Sequence, residues 1–130
     1  MLKIVVFAAA AITGTDLYAQ SKMTAEDLLY ICAGRGEPDQ AFCQAYIAGV
    51  SEGGYTSAFF HLVEIGGEIE NAEAALDEIS RITRVCYDDA TTMEEIIPHV
   101  IETIEKTPDL IEVEASVAVT RSLQLLFPCS

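Results

Sequence analysis

Apolar residues recur at intervals of three and four along most of the chain, the spacing that places side chains on one face of a helix. The clearest stripe carries Met93, Ile96, Ile97, Val100, Ile101 and Ile104, and Thr92 with Glu95 makes a capping box at its start. Pro98 interrupts this stripe without changing its phase, so we expect a kinked helix rather than two separate ones. Beyond the turn at Thr107-Pro108-Asp109, a second arm ends at Phe127-Pro128-Cys129, where Pro128 is a stop signal. The pattern predicts an antiparallel helical hairpin.

Shorter helical stretches precede the hairpin. Thr24, with Asp27 three positions on, predicts the start of a helix that runs to Cys32. Asp39 is the expected cap of the next helix, and Gly53-Gly54 is expected to bend it, because glycine costs a helix about 1 kcal/mol relative to alanine. After Gly66-Gly67, a further stripe carries Ile69, Ala72, Leu76, Ile79 and Ile82. The predicted fold class is all-α: a small disulfide-stapled bundle of about five helices ending in an antiparallel helical hairpin.

Two stretches carry a more specific expectation. The cluster of Tyr55, Phe59 and Phe60 is interpreted first as core and only second as a docking patch for a partner. The segment LIEVEASVAV, residues 110–119, alternates apolar and polar side chains as a strand would, whereas Val119, Leu123 and Leu126 keep helical spacing. We therefore expect residues 109 to 113 to be extended, with a helix over about 114 to 127.

Residues 1–19 have the features of a signal peptide. Lys3 supplies a positive start, residues 4–12 form a short apolar run, and Leu17-Tyr18-Ala19 resembles a cleavage site. A retained single anchor is the alternative, but the run is shorter than a membrane span. We therefore expect export through a cleaved signal peptide, with residues 20–130 as a single helical domain in the periplasm.

The net charge of −14 narrows the range of partners. Such a chain repels nucleic acid phosphates and anionic lipid, which argues against nucleic acid and, after signal cleavage, against a membrane. It attracts a basic protein partner, chiefly by raising the rate of encounter. Solubility is the alternative reason for the charge.

The four cysteines, Cys32, Cys43, Cys86 and Cys129, all follow the expected cleavage site. An even number in a short exported chain predicts two disulfides, for which three connectivities exist. Geometry favours Cys32–Cys43 across a turn and Cys86–Cys129 at the open end of the hairpin. Their spacing contains no CxxC pair and neither histidine lies near a pair, which argues against a zinc site.

No catalytic constellation emerges from the remaining residues. His61 lacks the second histidine of an HExxH motif and is expected to be a partly buried helix residue. The abundant carboxylates are expected to form a solvated helix face, since catalysis would require two of them in one pocket with separated pKa values. The sequence therefore predicts no catalytic residue, no metal site and no cofactor.

Four segments together resemble a known family: FCQAYIAGVSEG, VC, TTMEEIIPHVIETIEKTPDL and the closing LLFPC. In this order they are similar to the Rap/Tai immunity proteins of type VI secretion systems. The family's C-x-x-Y-I-x-G matches Cys43, Tyr46, Ile47 and Gly49. Tyr87-Asp88 stands where the family usually has Ile-Pro, and Pro98 interrupts a helix that is normally unbroken.

The resemblance implies a small exported helical domain that binds a toxic peptidoglycan amidase injected by sister cells. Such proteins plug the active-site groove of the toxin, often as homodimers. The leading hypothesis is therefore a non-catalytic immunity or inhibitor protein whose partner has a basic rim around its active site. Tyr87, Asp88 and Asp89, presented by the Cys86 bridge, are the expected contact residues, because a loop held by a disulfide loses little entropy on binding.

Two other classes remain open. A periplasmic acid-stress chaperone would share the size, helices and disulfides, and would expose apolar surface when its carboxylates are protonated. A periplasmic hydrolase ranks last, because no catalytic constellation is visible.

Overall fold

The computed structural model describes residues 22–66, 71–88 and 90–130. Within these ranges the chain forms six helices and no strand, which confirms the all-α class and adds one helix to the expected number. The helices are α1 (Ala25–Cys32), α2 (Glu37–Glu64), α3 (Ala72–Thr83), α4 (Met93–Lys106), α5 (Pro108–Ile111) and α6 (Ala115–Leu126). The expected signal peptide, residues 1–19, lies outside the described residues.

The main core lies where α1, the first half of α2, α4 and α6 meet. Its fully buried large side chains include Leu28, Ile47, Val100, Ile104 and Val119. Each such side chain removed from water contributes about 1.5–3 kcal/mol, so these four helices pack as one body. The stripe of α4 therefore faces the core as its spacing predicts.

Side-chain capping begins both helices that the sequence marked with a capping box. Thr24 accepts a hydrogen bond from the Asp27 backbone N–H, and the Asp27 carboxylate accepts one from the Thr24 N–H. Thr92 and Glu95 repeat the arrangement at the start of α4. Both predictions are confirmed, and α4 continues on both sides of Pro98.

Helix α2 differs from the expectation. It runs unbroken from Glu37 to Glu64 through Gly53-Gly54, and its N-cap is Gly36 rather than Asp39. Pro38, near the start of the helix, has no backbone N–H to leave unsatisfied, which favours the earlier start. Buried side chains on either side of the glycines, Ile47 and Leu62 among them, pack against neighbouring helices and outweigh the glycine cost.

The connection between α4 and α6 also corrects the sequence prediction. Residues 108–111 form the short helix α5, so the extended interpretation of 109–113 was wrong for its first part. Pro108 at the first helical position and the burial of Leu110 explain the turn. Glu112 still has αR backbone angles, and Glu114 forms an isolated antiparallel bridge with Thr24 that ties the start of α1 to the start of α6.

Two disulfides close the structure. Cys32 bonds Cys43 and Cys86 bonds Cys129, each pair with Cα atoms 5.1 Å apart. The second bond joins a residue before α4 to a residue after α6, so these packed helices run antiparallel. The favoured pairing of the cysteines and the helical hairpin are both confirmed.

Candidate partner-binding surface

The acidic loop that begins at Cys86 is anchored at its base. Besides its disulfide to Cys129, Cys86 donates its backbone N–H to the Phe127 carbonyl at 2.9 Å. The neighbouring Val85 is 4% exposed and belongs to the main core. The chain therefore enters the loop from a fixed position against the end of α6.

Tyr87 is packed into the protein more deeply than a simple contact residue would be. Its ring stacks on Tyr55, with centroids 5.8 Å apart, and lies against Phe127 at 5.1 Å. Its hydroxyl hydrogen-bonds the buried Ser51 hydroxyl at 2.7 Å. Burial raises the pKa of Tyr87, and the hydrogen bond with Ser51 opposes that rise in part. Tyr87 thus attaches the loop to α2, while one side of the residue stays accessible.

Asp88 is the exposed member of the predicted contact set. Its carbonyl accepts a hydrogen bond from the Thr91 N–H at 2.9 Å, and its carboxylate accepts one from the Ala90 N–H at 3.4 Å. Asp89 lies outside the described residues. At the far end, hydrogen bonds from Thr92 lower the pKa of Glu95, which keeps the cap of α4 charged. The loop is therefore held at both ends, and Asp88 is exposed to solvent.

A cleft of about 400 Å³ opens beside the loop, between α2, α3 and α6. Tyr87 and Ser51 line it, together with Tyr55 and His61. His61 is exposed, so the expectation of a partly buried histidine was wrong. The cleft has the size of a small-ligand pocket, but its lining is mostly apolar and no paired acid and base stand in it.

The second half of α2 carries an exposed apolar face. Phe59 is 41% exposed, Phe60 61% and Val63 50%, so the interpretation of Phe59 and Phe60 as core was wrong. Ala58 and Leu62, four residues apart, occupy the buried side of the helix instead. This exposed face, which we call the aromatic face and define as Phe59, Phe60 and Val63, leaves the second interpretation of the cluster, a docking patch for a partner, as a prediction.

The described part of the chain offers no site for a metal, since it contains no group of three or more His, Cys, Asp or Glu side chains able to hold one. No helix within residues 22–66, 71–88 and 90–130 has the length and apolar character that crossing a membrane requires. What the described residues do bring together is an acidic loop anchored at its base, a cleft and an aromatic face.

The fold defines a class: a small all-helical protein braced by two disulfides. Within that class, the chain belongs to the Rap1a immunity protein family, whose model matches residues 24–129. The match spans all six helices and both disulfides. Searches of curated proteins and of solved structures returned no match. Family membership supports a role as an immunity protein.

Proposed function

We propose that the protein is a non-catalytic immunity protein that binds a toxic peptidoglycan amidase effector of a type VI secretion system and blocks its active site. The observation that carries the proposal is the family match over residues 24–129. The anchored acidic loop supports it, because a preformed loop loses little conformational entropy when it enters a groove.

The proposed location is the periplasm, reached through cleavage of residues 1–19. Two disulfides support an oxidising compartment, where such bonds form and persist. A periplasmic inhibitor would meet an injected amidase at the place where the toxin acts on the cell wall.

Recognition is proposed to be led by charge. The chain has a net charge of −14, and Asp88, which Asp89 follows in the sequence, is exposed on the anchored loop. A basic rim around the amidase groove would raise the association rate and orient the loop toward the active site. Tyr87 would serve mainly to position the loop, since its hydroxyl is already engaged by Ser51.

The test uses an amidase effector encoded beside this protein, purified and assayed by release of muropeptides from peptidoglycan. An equimolar amount of the parent protein is expected to abolish release. An Asp88→Lys variant is expected to bind roughly fivefold more weakly, as for reversal of one exposed interfacial charge, with most of the loss in the association rate.

Glu105→Lys is the matched control. It makes the same charge change on α4, twelve positions beyond Met93 and so about 18 Å along the helix from its start, away from the loop. Equal affinities for the Asp88→Lys and parent proteins would remove the loop from the interface. A parent protein that leaves muropeptide release unchanged would overturn the proposed function itself.

We further propose that two copies associate through the aromatic face, as the family resemblance implies for a homodimer. Burying Phe60 and Val63 against a second copy would remove apolar surface that α2 leaves exposed. Light scattering coupled to size exclusion should give a dimer mass for the parent and a monomer mass for Phe60→Glu. Tyr30→Glu, a similar change at an aromatic residue that is 83% exposed on α1, should remain a dimer. A monomeric parent would contradict the proposal.

A further inference from the structure

Two arginines, Arg84 and Arg121, form a small basic patch on this acidic protein. Three other cations are neutralised within the described residues, through the ion pairs Lys22–Glu114, Arg81–Glu78 and Lys106–Glu102. Arg84 and Arg121 make no ion pair within 4.0 Å in the same part of the chain, and both are exposed. Their positive charge is therefore available to a ligand.

Arg84 is held in a conformation that its residue type disfavours. Its φ of 58° and ψ of 30° are left-handed, and no other non-glycine residue in the described ranges has a positive φ. This region strains residues that carry a Cβ, and glycine is the usual occupant after a helix. Since glycine would relieve the strain at this position, the presence of arginine calls for a role for its side chain.

The surroundings fix the backbone on both sides of Arg84. Before it, the Thr83 carbonyl accepts a hydrogen bond from the Gln124 side chain at 2.9 Å. After it, Val85 is buried and the Cys86 N–H is bonded to α6 through the Phe127 carbonyl. The end of α3 is thereby pinned to α6.

The same glutamine orients the second arginine. The Gln124 side-chain oxygen accepts a hydrogen bond from Arg121 Nη1 at 3.3 Å, while its nitrogen donates to Thr83. Arg121 is thus tied to the segment that carries Arg84. The backbone that carries Arg84 is therefore fixed, and the Arg121 guanidinium is oriented by a side chain anchored on that backbone.

Both arginines line a shallow concavity of about 450 Å³ between α3 and α6. Its wall consists of Ile82, Arg84, Ser116, Val117, Thr120, Arg121 and Gln124, so no carboxylate contributes to it in the described part of the chain. An adjoining hollow shares Arg84, Arg121 and Gln124, and there Asp109 stands on the wall. The first concavity is therefore the one suited to an anion.

We propose that Arg84 and Arg121 form a carboxylate-binding subsite that accepts an acidic side chain of a protein partner. A guanidinium group pairs with carboxylate oxygens through two parallel N–H donors. The partly exposed Ile82 and Val117 give the concavity an apolar wall that the methylene groups of a glutamate side chain can contact. Free phosphate has no methylene groups to make this contact. At physiological ionic strength salt screens charges that lie more than about 8 Å away, so the more distant acidic residues of this chain act only weakly on the subsite. Asp109 stands on the adjoining hollow and not on the wall of this concavity.

The subsite itself is tested without the partner. N-acetyl-glutamate amide is titrated at constant ionic strength while the side-chain Nε–Hε signals of the arginines are followed by NMR. Saturable shifts are expected at Arg84 and Arg121 but not at Arg35, an exposed arginine before α2. The neutral N-acetyl-glutamine amide should produce none. Shifts of equal size at Arg35, or none at all, would overturn the subsite, and a response to inorganic phosphate alone would overturn its assignment to a protein carboxylate.

Two substitutions separate a binding role from a structural one. Arg121→Gln should lower the affinity for the N-acetyl-glutamate amide probe about threefold, the effect of losing one exposed ion pair. Arg35→Gln should leave that affinity unchanged. Arg84→Gly should also lower the affinity for the probe. It should nevertheless raise the urea midpoint of unfolding, because glycine relieves the strain of the left-handed backbone conformation. Retained probe binding in Arg84→Gly would overturn the role of its side chain.

The identity of the occupant as an effector side chain rests on the proposed function. Arg121→Glu and Arg35→Glu change the net charge equally and are compared for binding to the purified amidase effector. Weaker binding by Arg121→Glu alone is expected. If the effector binds the parent and both variants equally, the assignment of the occupant fails while the proposed function stands. If the effector does not bind the parent, the proposed function fails, and the probe titration still decides the subsite.

Discussion

Tyr87 shows how one residue can join a loop to the rest of the molecule. Its position after Cys86 led us to expect a contact residue, and the structure adds a hydroxyl bonded to Ser51, thirty-six positions earlier in the chain. Nothing near Tyr87 in the sequence points to that partner, because the pairing depends on how α2 lies against the loop. The prediction that Tyr87 contacts a partner remains a prediction, and a positioning role is added to it.

Replacing Tyr87 by phenylalanine should destabilise the protein. The ring stacking is kept, but the Ser51 hydroxyl, in a residue only 6% exposed, loses its partner. One such loss costs about 1 kcal/mol in the free energy of unfolding. Urea denaturation followed by circular dichroism measures the change, and Tyr30→Phe at a fully solvated position is the control. Equal losses in the two variants would refute the specific role of the hydroxyl.

The capping box of α4 should make the stability of the protein depend on pH. Hydrogen bonds from Thr92 lower the pKa of Glu95 from its ordinary value of 4.5. A lowered pKa means that the carboxylate stabilises the fold above the ordinary value, and that this contribution disappears as the pH falls through the folded value. Glu95→Gln should therefore lower the melting temperature at neutral pH and converge with the parent in acid. Glu94→Gln, next to it, should show no such convergence.

At the scale of single elements, α2 departs furthest from its sequence pattern. Glycines at 49, 53 and 54 would each weaken an isolated helix by about 1 kcal/mol relative to alanine. The helix nevertheless continues, because its buried face packs against α1, α3, α4 and α6. Propensity is a local quantity, whereas this packing involves residues far apart in sequence. The short helix α5 was missed for the same reason, since the burial of Leu110 stabilises it.

The glycines of α2 give a prediction whose sign depends on the structure. A Cβ at Gly53 would meet nothing within 4 Å, so Gly53→Ala should stabilise the protein by about 0.5–1 kcal/mol. A Cβ at Gly34 would lie only 2.8 Å from the Asp39 Cβ, so Gly34→Ala should destabilise the protein. Urea midpoints of the two variants test the contrast. An increase in the urea midpoint of both variants, or a decrease in both, would contradict the predicted contrast.

Across the whole molecule, the two disulfides brace different parts. Cys32–Cys43 joins residues 11 apart, and Cys86–Cys129 joins residues 43 apart around the entire hairpin. Because the stabilisation grows with the length of the closed loop, replacing the first pair by serines should cost about 3 kcal/mol and replacing the second about 4 kcal/mol. Guanidinium denaturation of the two double variants measures the difference. A larger cost for the first pair would show that loop length is not the deciding factor.

The sequence alone determined the helical class, both capping boxes and the family resemblance, because each depends on residues close together or on a fixed order of motifs. It favoured one cysteine pairing among three, and the structure confirmed that pairing. The exposure of Phe59 and Phe60, the bond from Tyr87 to Ser51 and the meeting of Arg84 with Arg121 were decided only by the tertiary structure. Apolar periodicity identifies a helix but not what each of its faces will meet. That choice belongs to the packing of all six helices, which no local pattern contains.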